Sequence, residues 1–497
     1  MGAIMVVGTT SHAGKSLITA AICRLLKRQG KQVTPFKGQN MALNAYVTAA
    51  GDEMGHAQAV QAWAAGVEPQ VDMNPILLKP QGDMTSQVVL QGQVVGQVQA
   101  ADYYRDYFDR GWQAITEALE RLQQTFDWIV CEGAGSPAEI NLKHRDLTNM
   151  RVAKHLNAAT LLVADIDRGG VFAHIVGTLE LLEPEERALI KGIVINKFRG
   201  QRSLLDSGVT WLEERTGIPV VGVIPWLPQT LPAEDSLSLF DRRTTKPDAD
   251  ITIAVIRLPR VANFTDFDPL EAEPSVNLRL IDPSQALGNP DAVILPGSKT
   301  TIADLQRLQA SGMAEQIQAY SAAGGVVLGI CGGLQMLGQV LSDSLGQEGI
   351  AGDFEGLGLL PLQTKMTGAK VTQQRQAIAN PLPDHFPMHS GPHPVHGYEI
   401  HQGQTEILDR AAIQPWFEDS TLGVASLEHL TMGTYLHGLF DNGPWRRSWL
   451  NQIRHQRGLD LLSEDVSDYG EQRDQMIDEV TDAIAEHLDL TPFLAQP

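Results

Sequence analysis

An apolar run, Ile4 to Val7, ends at Gly8 and continues through Thr9-Thr-Ser-His-Ala to Gly14-Lys15-Ser16, after which Leu17, Ile18, Ala21, Leu25 and Leu26 recur at helical spacing. Strand, glycine-bearing loop and helix in that order demand a parallel sheet whose first strand opens onto a helix N-terminus. Backbone N–H groups and the helix dipole favour an anion there. Lys15 is expected to reach the terminal phosphates of a nucleoside triphosphate and Ser16 to ligate Mg²⁺, with Thr9 and Gly14 in the cradle. Five residues separate the two glycines, where the commonest loop has about four. The opposing reading, a glycine turn that binds nothing, leaves the flanking strand and helix unexplained.

Magnesium needs carboxylates close to such a loop. Glu132 ends an apolar strand, Asp127-Trp-Ile-Val-Cys-Glu, and is followed by Gly-Ala-Gly, the position of a metal ligand at the C-terminal edge of a parallel sheet. Glu53, beside Asp52, is a second candidate, and Asp165 with Asp167 a third; acids of this kind also cap helices. Lys37 could face phosphate, with a solvated lysine as its alternative. Asn196 follows the apolar run Gly192 to Ile195, from where an amide can read the edge of a purine.

The same rhythm repeats at Trp128 to Cys131, Thr160 to Ala164, Gly192 to Ile195 and Val220 to Ile224, the mark of β-α-β units. After Pro225 the sequence turns polar and proline-punctuated. A second alternation runs from Ile251 to Val255 through Ala292 to Leu295 and Gly325 to Ile330 to Thr431 to Leu436. The 497 residues therefore divide into an α/β domain 1–228, a linker 229–249, a second α/β domain 250–445 and a helical tail 446–497 expected to cap the second domain. With 38 basic against 59 acidic residues, the net charge of −21 argues against nucleic acid or an anionic membrane as partner. No uncharged apolar run approaches the roughly 18 residues of a membrane span, and no secretory leader opens the chain, so a cytoplasmic location is expected.

Three cysteines are too few and too scattered for a disulfide scaffold or a zinc site. Cys23 on a helix face and Cys131 inside a strand read as packing residues. Cys331 differs: Gly325-Val-Val-Leu-Gly-Ile-Cys331-Gly332-Gly333 puts it between a buried strand and a helix, flanked by glycines that allow a strained turn and close approach of substrate. A helix N-terminus favours anionic sulfur, which makes Cys331 a candidate nucleophile. His437, in Thr434-Tyr-Leu-His437-Gly-Leu-Phe440, is a candidate base, and Gly297-Ser298 can present N–H groups to an oxyanion. His385, His389, His393, His396 and His401 cluster nearby, but prolines interrupt them and no ligand spacing appears, so no metal site is expected there.

GTTSHAGKS, with its lengthened loop, resembles the dethiobiotin synthetase branch of P-loop proteins. With PFKGQNMALNAY, GDEMGHAQAVQA, CEGAGSPAEINL, ADIDRGGVFAH and INKFRG it is similar to the synthetase half of the cobyric acid synthase family; LPGSKTTIADL, GICGGLQMLG, HGYEIH and YLHGLF resemble its class I glutamine amidotransferase half. The resemblance covers nearly the whole chain. It implies ATP- and Mg²⁺-dependent amidation of the b, d, e and g side-chain carboxylates of adenosylcobyrinic acid a,c-diamide with L-glutamine as nitrogen donor, Cys331 as nucleophile and His437 as its base. Class I amidotransferases commonly carry an acid two residues after that histidine; here Leu439 stands there, and Glu399 is a stand-in that could equally be structural. ATP would convert a carboxylate into an acyl phosphate, and NH₃ released at Cys331 would reach it by an internal passage. Arg145, Arg168 and Arg199 are candidates for the polycarboxylate substrate. Cobyrinic acid a,c-diamide synthase, which shares both halves, and a MinD-like ATPase switch, which has no use for Cys331, are the rival readings. A homo-oligomer is compatible with the sequence, which does not give its order.

Overall fold

The computed structural model describes residues 2–81, 84–228, 231, 246–349, 351–383, 386 and 391–494. The chain forms two compact units: Met1–Ala42 with Asp52–Pro232 and Arg473–Pro497, and Leu43–Gly51 with Ala233–Gln472. Most of the expected linker, and His385 and His389, lie outside the described residues. Among the described residues no helix is long and apolar enough to cross a membrane.

In the first unit six parallel strands lie in the order Val220–Pro225, Ile190–Phe198, Ala159–Asp165, Gly2–Gly8, Trp128–Glu132, Val33–Phe36. Gly2–Gly8 lies inside this sheet and is buried throughout, which is why it reads as an unbroken apolar run. Register then fixes chemistry: Val6 pairs with Glu132, Gly8 with Val163, and Asp165 with Asn196. The ends of four strands thus meet at one edge, where open α/β sheets bind ligands. A four-stranded sheet, Gln39–Met41, Ile76–Pro80, Thr85–Leu90 and Gln93–Gln99, belongs to the same unit.

The second unit has a seven-stranded sheet in the order Val276–Ile281, Ile251–Ile256, Ala292–Leu295, Val326–Ile330, Thr431–Thr434, Gly423–Ser426, Ile413–Pro415. Its first five strands are parallel, and the last two pairings are antiparallel. Leu295 pairs with Gly329 and Ile330 with Thr434, so the segments after these strands emerge together.

The C-terminal tail corrects one expectation. Gly443–Gln456 packs in the second unit through Trp445, Trp449, Leu450 and Ile453. Residues from Arg473 onward belong to the first unit instead. Ile477, Val480 and Ile484 form a helical stripe that enters the same core as Ile18, Ala21, Ile22 and Leu26. Asp474, Asp478 and Asp482, one turn apart, pair with Arg24 and Arg28 of the helix Lys15–Arg28. Apolar stripe and charge ladder both match that helix, which overrides nearness in sequence.

Candidate active site

Gly14 has φ 101°, and a Cβ there would stand 2.0 Å from Asn196 Nδ2, so only glycine fits. Asn196 Nδ2 donates to the Ala13 carbonyl at 2.8 Å; the amide expected to read a purine edge commits one donor to holding the loop. Lys15 Nζ lies on the carbonyls of Thr10 and Gly135, each at 3.2 Å. The Thr9 hydroxyl is buried with no hydrogen-bond partner among the described residues, a polar atom of the kind that an incoming ligand satisfies.

Glu132 is 1% exposed and gathers three donors: Ser16 Oγ at 2.8 Å and Lys37 Nζ at 3.2 Å on Oε1, and Gln61 Nε2 at 2.5 Å on Oε2. Ser16, Lys37 and Glu132 are therefore brought together, and Gln61 is a partner that sequence reading missed. Glu53 is equally buried, but its Oε1 takes a 2.6 Å ion pair from Lys79 Nζ, which neutralises it and weakens its case as a metal ligand. Asp165 accepts from Lys197 Nζ at 2.7 Å, and Asp167 from Arg199 Nε at 2.9 Å. Arg199 also lies 4.3 Å over the Trp226 ring. Among the described residues no group of three His, Cys, Asp or Glu side chains forms a metal cage. A hydroxyl beside one carboxylate does suit Mg²⁺, which usually keeps waters and takes phosphate oxygens.

In the second unit Cys331 has φ 52° and ψ −108°, a strained conformation between the strand Val326–Ile330 and the helix Gly332–Leu337. Its N–H donates to the Thr434 carbonyl at 2.7 Å, and its thiol approaches the Ile400 carbonyl at 3.7 Å. Glycine is required at both positions that follow. A Cβ on Gly333 would stand 2.0 Å from the Leu295 carbonyl oxygen, and one on Gly332 2.9 Å from Ser298 N. A Cβ on Gly297 would lie 3.3 Å from His437 Cε1 and 3.7 Å from Cys331 Cβ, so thiol and imidazole flank this glycine. The Ser298 side chain turns away, donating to Asp304 Oδ2 at 2.6 Å and accepting from Thr300 N–H at 3.0 Å.

The carboxylate beside His437 is that of Asp266. His437 Nδ1 lies 2.7 Å from Asp266 Oδ2, the Gly438 N–H donates to Oδ1 at 2.8 Å, and both side chains are buried. Burial opposes a charged ring, yet the charge and hydrogen bond of Asp266, then Cys331, outweigh it and push His437 up to about 10. Tyr398 stacks on the ring at 5.3 Å and exchanges backbone hydrogen bonds with His437 at 3.0 and 2.9 Å. Glu399, for which the sequence left both a stand-in and a structural role open, serves Arg375, Gln373 at 2.8 Å and His401 at 3.4 Å, and these donors hold it ionised despite burial. The signal for Asp266 was present in Asn263-Phe-Thr-Asp266, an acid after the first strand of this unit. His393 faces Glu464 at 4.0 Å while His401 stacks on Tyr435 at 3.8 Å, so these histidines have separate partners. Burial pushes the thiols of Cys23 and Cys131 far up, as befits inert packing residues.

Residues 252–445 match the CobB/CobQ-like glutamine amidotransferase domain, and residues 4–238 the CobQ/CobB/MinD/ParA nucleotide binding domain. The cobyric acid synthase of Acaryochloris marina (strain MBIC 11017) is 73% identical over 496 residues, covering 100% of both chains. That of Nostoc sp. (strain PCC 7120) is 66% identical over 99% of each. The one from Trichodesmium erythraeum (strain IMS101) is 65% identical over 99% of this chain and 100% of its own. A thiol, an imidazole and a carboxylate in one unit and a glycine loop at a strand end in the other agree with these matches. The chain is a glutamine-dependent amide-forming enzyme and belongs to the cobyric acid synthase family.

Proposed function

We propose that this enzyme amidates the b, d, e and g carboxylates of adenosylcobyrinic acid a,c-diamide, using ATP and glutamine, to give adenosylcobyric acid. A carboxylate oxygen attacks the γ-phosphorus of ATP, ADP leaves, and the acyl phosphate so formed has a leaving group that a free carboxylate lacks. Lys15, the loop N–H groups and Lys37 balance charge on the phosphates. Ser16 and Glu132 would hold Mg²⁺, which neutralises phosphate charge when bound. At the second site Cys331 sulfur attacks the glutamine amide carbon with its proton resting on His437. The oxyanion meets N–H groups of Gly297, Ser298, Gly332 or Gly333, and His437 returns the proton to the departing nitrogen, releasing NH₃ and leaving a thioester. Water, deprotonated by His437, then frees glutamate. NH₃ displaces phosphate from the acyl phosphate, closing the balance with one amide and one phosphate.

The observation that carries this reading is the 2.7 Å His437–Asp266 contact beside Cys331 in a chain that also holds Ser16 on Glu132. The test is a mass-spectrometric count of amides added per corrin, with the a,c-diamide and with unamidated cobyrinic acid offered separately. Four amides on the a,c-diamide support the proposal; two on cobyrinic acid alone would assign the a,c-diamide synthase reaction instead. Cys331→Ala should lose glutamine-supported synthesis and keep ammonia-supported synthesis, and loss of both would overturn the division of labour.

A further inference from the structure

The motif Gln39-Asn-Met-Ala-Leu-Asn-Ala-Tyr46 lies in the N-terminal half, within the span of the nucleotide-binding family model. Nothing in phosphoryl transfer accounts for its second part. Leu43–Gly51 packs as a piece of the second unit, whereas the chain on either side, up to Ala42 and from Asp52, belongs to the first. Its contacts gather around the residues that hold His437.

Thr265, adjacent to Asp266, donates its hydroxyl to Asn44 Oδ1 at 3.1 Å. The Ala45 N–H donates to Asn263 Oδ1 at 3.1 Å, and the Ala45 carbonyl accepts from Tyr398 Oη at 3.2 Å. Tyr46 meets the Tyr398 ring edge-on at 6.0 Å, and Gln374 Nε2 donates to Tyr46 Oη and to the Val47 carbonyl, each at 3.0 Å. Asn44, Thr265, Asp266 and Asn263 are all buried.

Two of these anchors bear on the proton-carrying pair. Asn263 has φ 51°, a conformation costly for a side-chain-bearing residue, and opens the turn Phe264–Phe267 that carries Asp266. The Ala45 backbone N–H, donated to the Asn263 side-chain oxygen, helps to fix that turn. Tyr398, the other anchor, stacks on His437 and shares its backbone hydrogen bonds. Asp266 and His437 are thus each braced from one side by the same nine-residue stretch, Leu43–Gly51.

We propose that Leu43–Gly51, although encoded in the synthetase half, is a positioning element of the glutamine-hydrolysing site, acting through Asn44–Thr265 and Ala45–Asn263 on Asp266 and through Ala45–Tyr398 on His437. This rests on the amidotransferase reading of Cys331 and His437. The element lies within the span of the nucleotide-binding family model, while the residues it touches belong to the second unit.

The test compares Thr265→Val, which keeps shape and removes the hydroxyl, with Thr265→Ser, which restores it, and adds Asn44→Ala. Glutamate release is measured against glutamine concentration and pH in the full-length enzyme, with ammonia-supported synthesis alongside. Misplacement of a proton-transfer pair is expected to lower kcat about tenfold in Thr265→Val and Asn44→Ala, with KM for glutamine within about twofold. The alkaline limb should move to lower pH, because Asp266 no longer holds the imidazolium as well, and Thr265→Ser should return both to native values. Ammonia-supported synthesis should stay unchanged throughout. Native kcat and pH profile in Thr265→Val and Asn44→Ala would overturn the proposal, as would an equal fall in ammonia-supported synthesis, which would mark general unfolding. Failure of Cys331→Ala to abolish glutamate release would instead sink the underlying reading, so the two failures are distinguishable.

Discussion

Asp266→Asn removes one negative charge while keeping size and an acceptor oxygen. In the native protein His437 stands at about 10 against an ordinary 6.5, with Asp266 and then Cys331 overcoming burial. At about 1.4 kcal/mol per pH unit, that rise is worth about 5 kcal/mol in favour of the charged ring. His56 shows the opposite balance: desolvation first, then the charge of Arg473, pulls its ring down to about 3. The Asp266→Asn substitution would leave His437 nearer that condition. At pH 7 the ring would be neutral and its tautomer no longer set by a carboxylate. Losing a comparable partner in a Ser-His-Asp site costs about 10⁴-fold, and general acid–base help is worth about 10² to 10⁴. We expect glutaminase kcat to fall roughly 10³-fold, about 4 kcal/mol of transition-state stabilisation. The assay is initial-rate glutamate release between about pH 5.5 and 10.5, a range that brackets both His437 values, with ammonia-supported synthesis as the folding control. Native activity should decline only as pH climbs through about 10, where the ring loses the proton that it delivers; that limb should be absent from the variant. Glu399→Gln should stay within about threefold of native, since Glu399 serves Arg375, Gln373 and His401. An Asp266→Asn enzyme with near-native rate and an unchanged alkaline limb would refute the electrostatic argument.

The same pair has a stability consequence with a definite sign. A folded-state pKa raised from 6.5 to about 10 gives stability that is fully present below about 6.5 and lost as pH rises through about 10. Urea midpoints of native and Asp266→Asn protein should therefore differ most at about pH 6 and converge by about pH 10. Glu132→Gln removes the carboxylate charge 3.2 Å from the Lys37 ammonium, which is 4% exposed. ATP-dependent amidation should fall about 100-fold and need more Mg²⁺, while glutamate release is unchanged, as a Mg²⁺ titration of both activities would show. Ile484→Ala empties a fully buried site beneath the helix Lys15–Arg28 and should cost about 2–5 kcal/mol by urea denaturation. A change under about 1 kcal/mol would deny the tail its place in the first unit's core.

What was legible in the sequence shares one property: it is encoded by neighbours in the chain. The loop from Gly8 to Ser16 announces strand, turn and helix within a few residues, and Cys331 carries its own glycines. Strand ends marked by an acid led directly to Glu132, which parallel register sets opposite Val6. Gln61 was invisible because its role depends on a helix face 71 residues away from Glu132. The tail was misplaced for a different reason, since its signal was present: acids at 474, 478 and 482 beside an apolar stripe ask for a basic, apolar helix, and Arg24 and Arg28 lie on one.

Asp266 lies 171 residues before His437 and meets it only because two parallel strands end at the same edge of one sheet. Looking for the missing acid two residues after the histidine finds Leu439, which is buried in the core and carries no charge. The physical requirement is independent of chain position. A fully buried imidazole that must carry a proton needs a counter-charge within hydrogen-bond reach, or desolvation keeps it neutral, as at His56. Any fold that sets such a ring at a strand end can supply that charge from the end of a neighbouring strand, where parallel sheets converge their loops. Four acids lie between the strands Ile251–Ile256 and Val276–Ile281, Asp266, Asp268, Glu271 and Glu273, and the one that meets His437 is the one whose carboxylate also accepts the Gly438 N–H. That double contact, to ring and to backbone, fixes the imidazole's orientation and charge together, which neither a solvent-facing acid nor Glu399 with its own Arg375 could do.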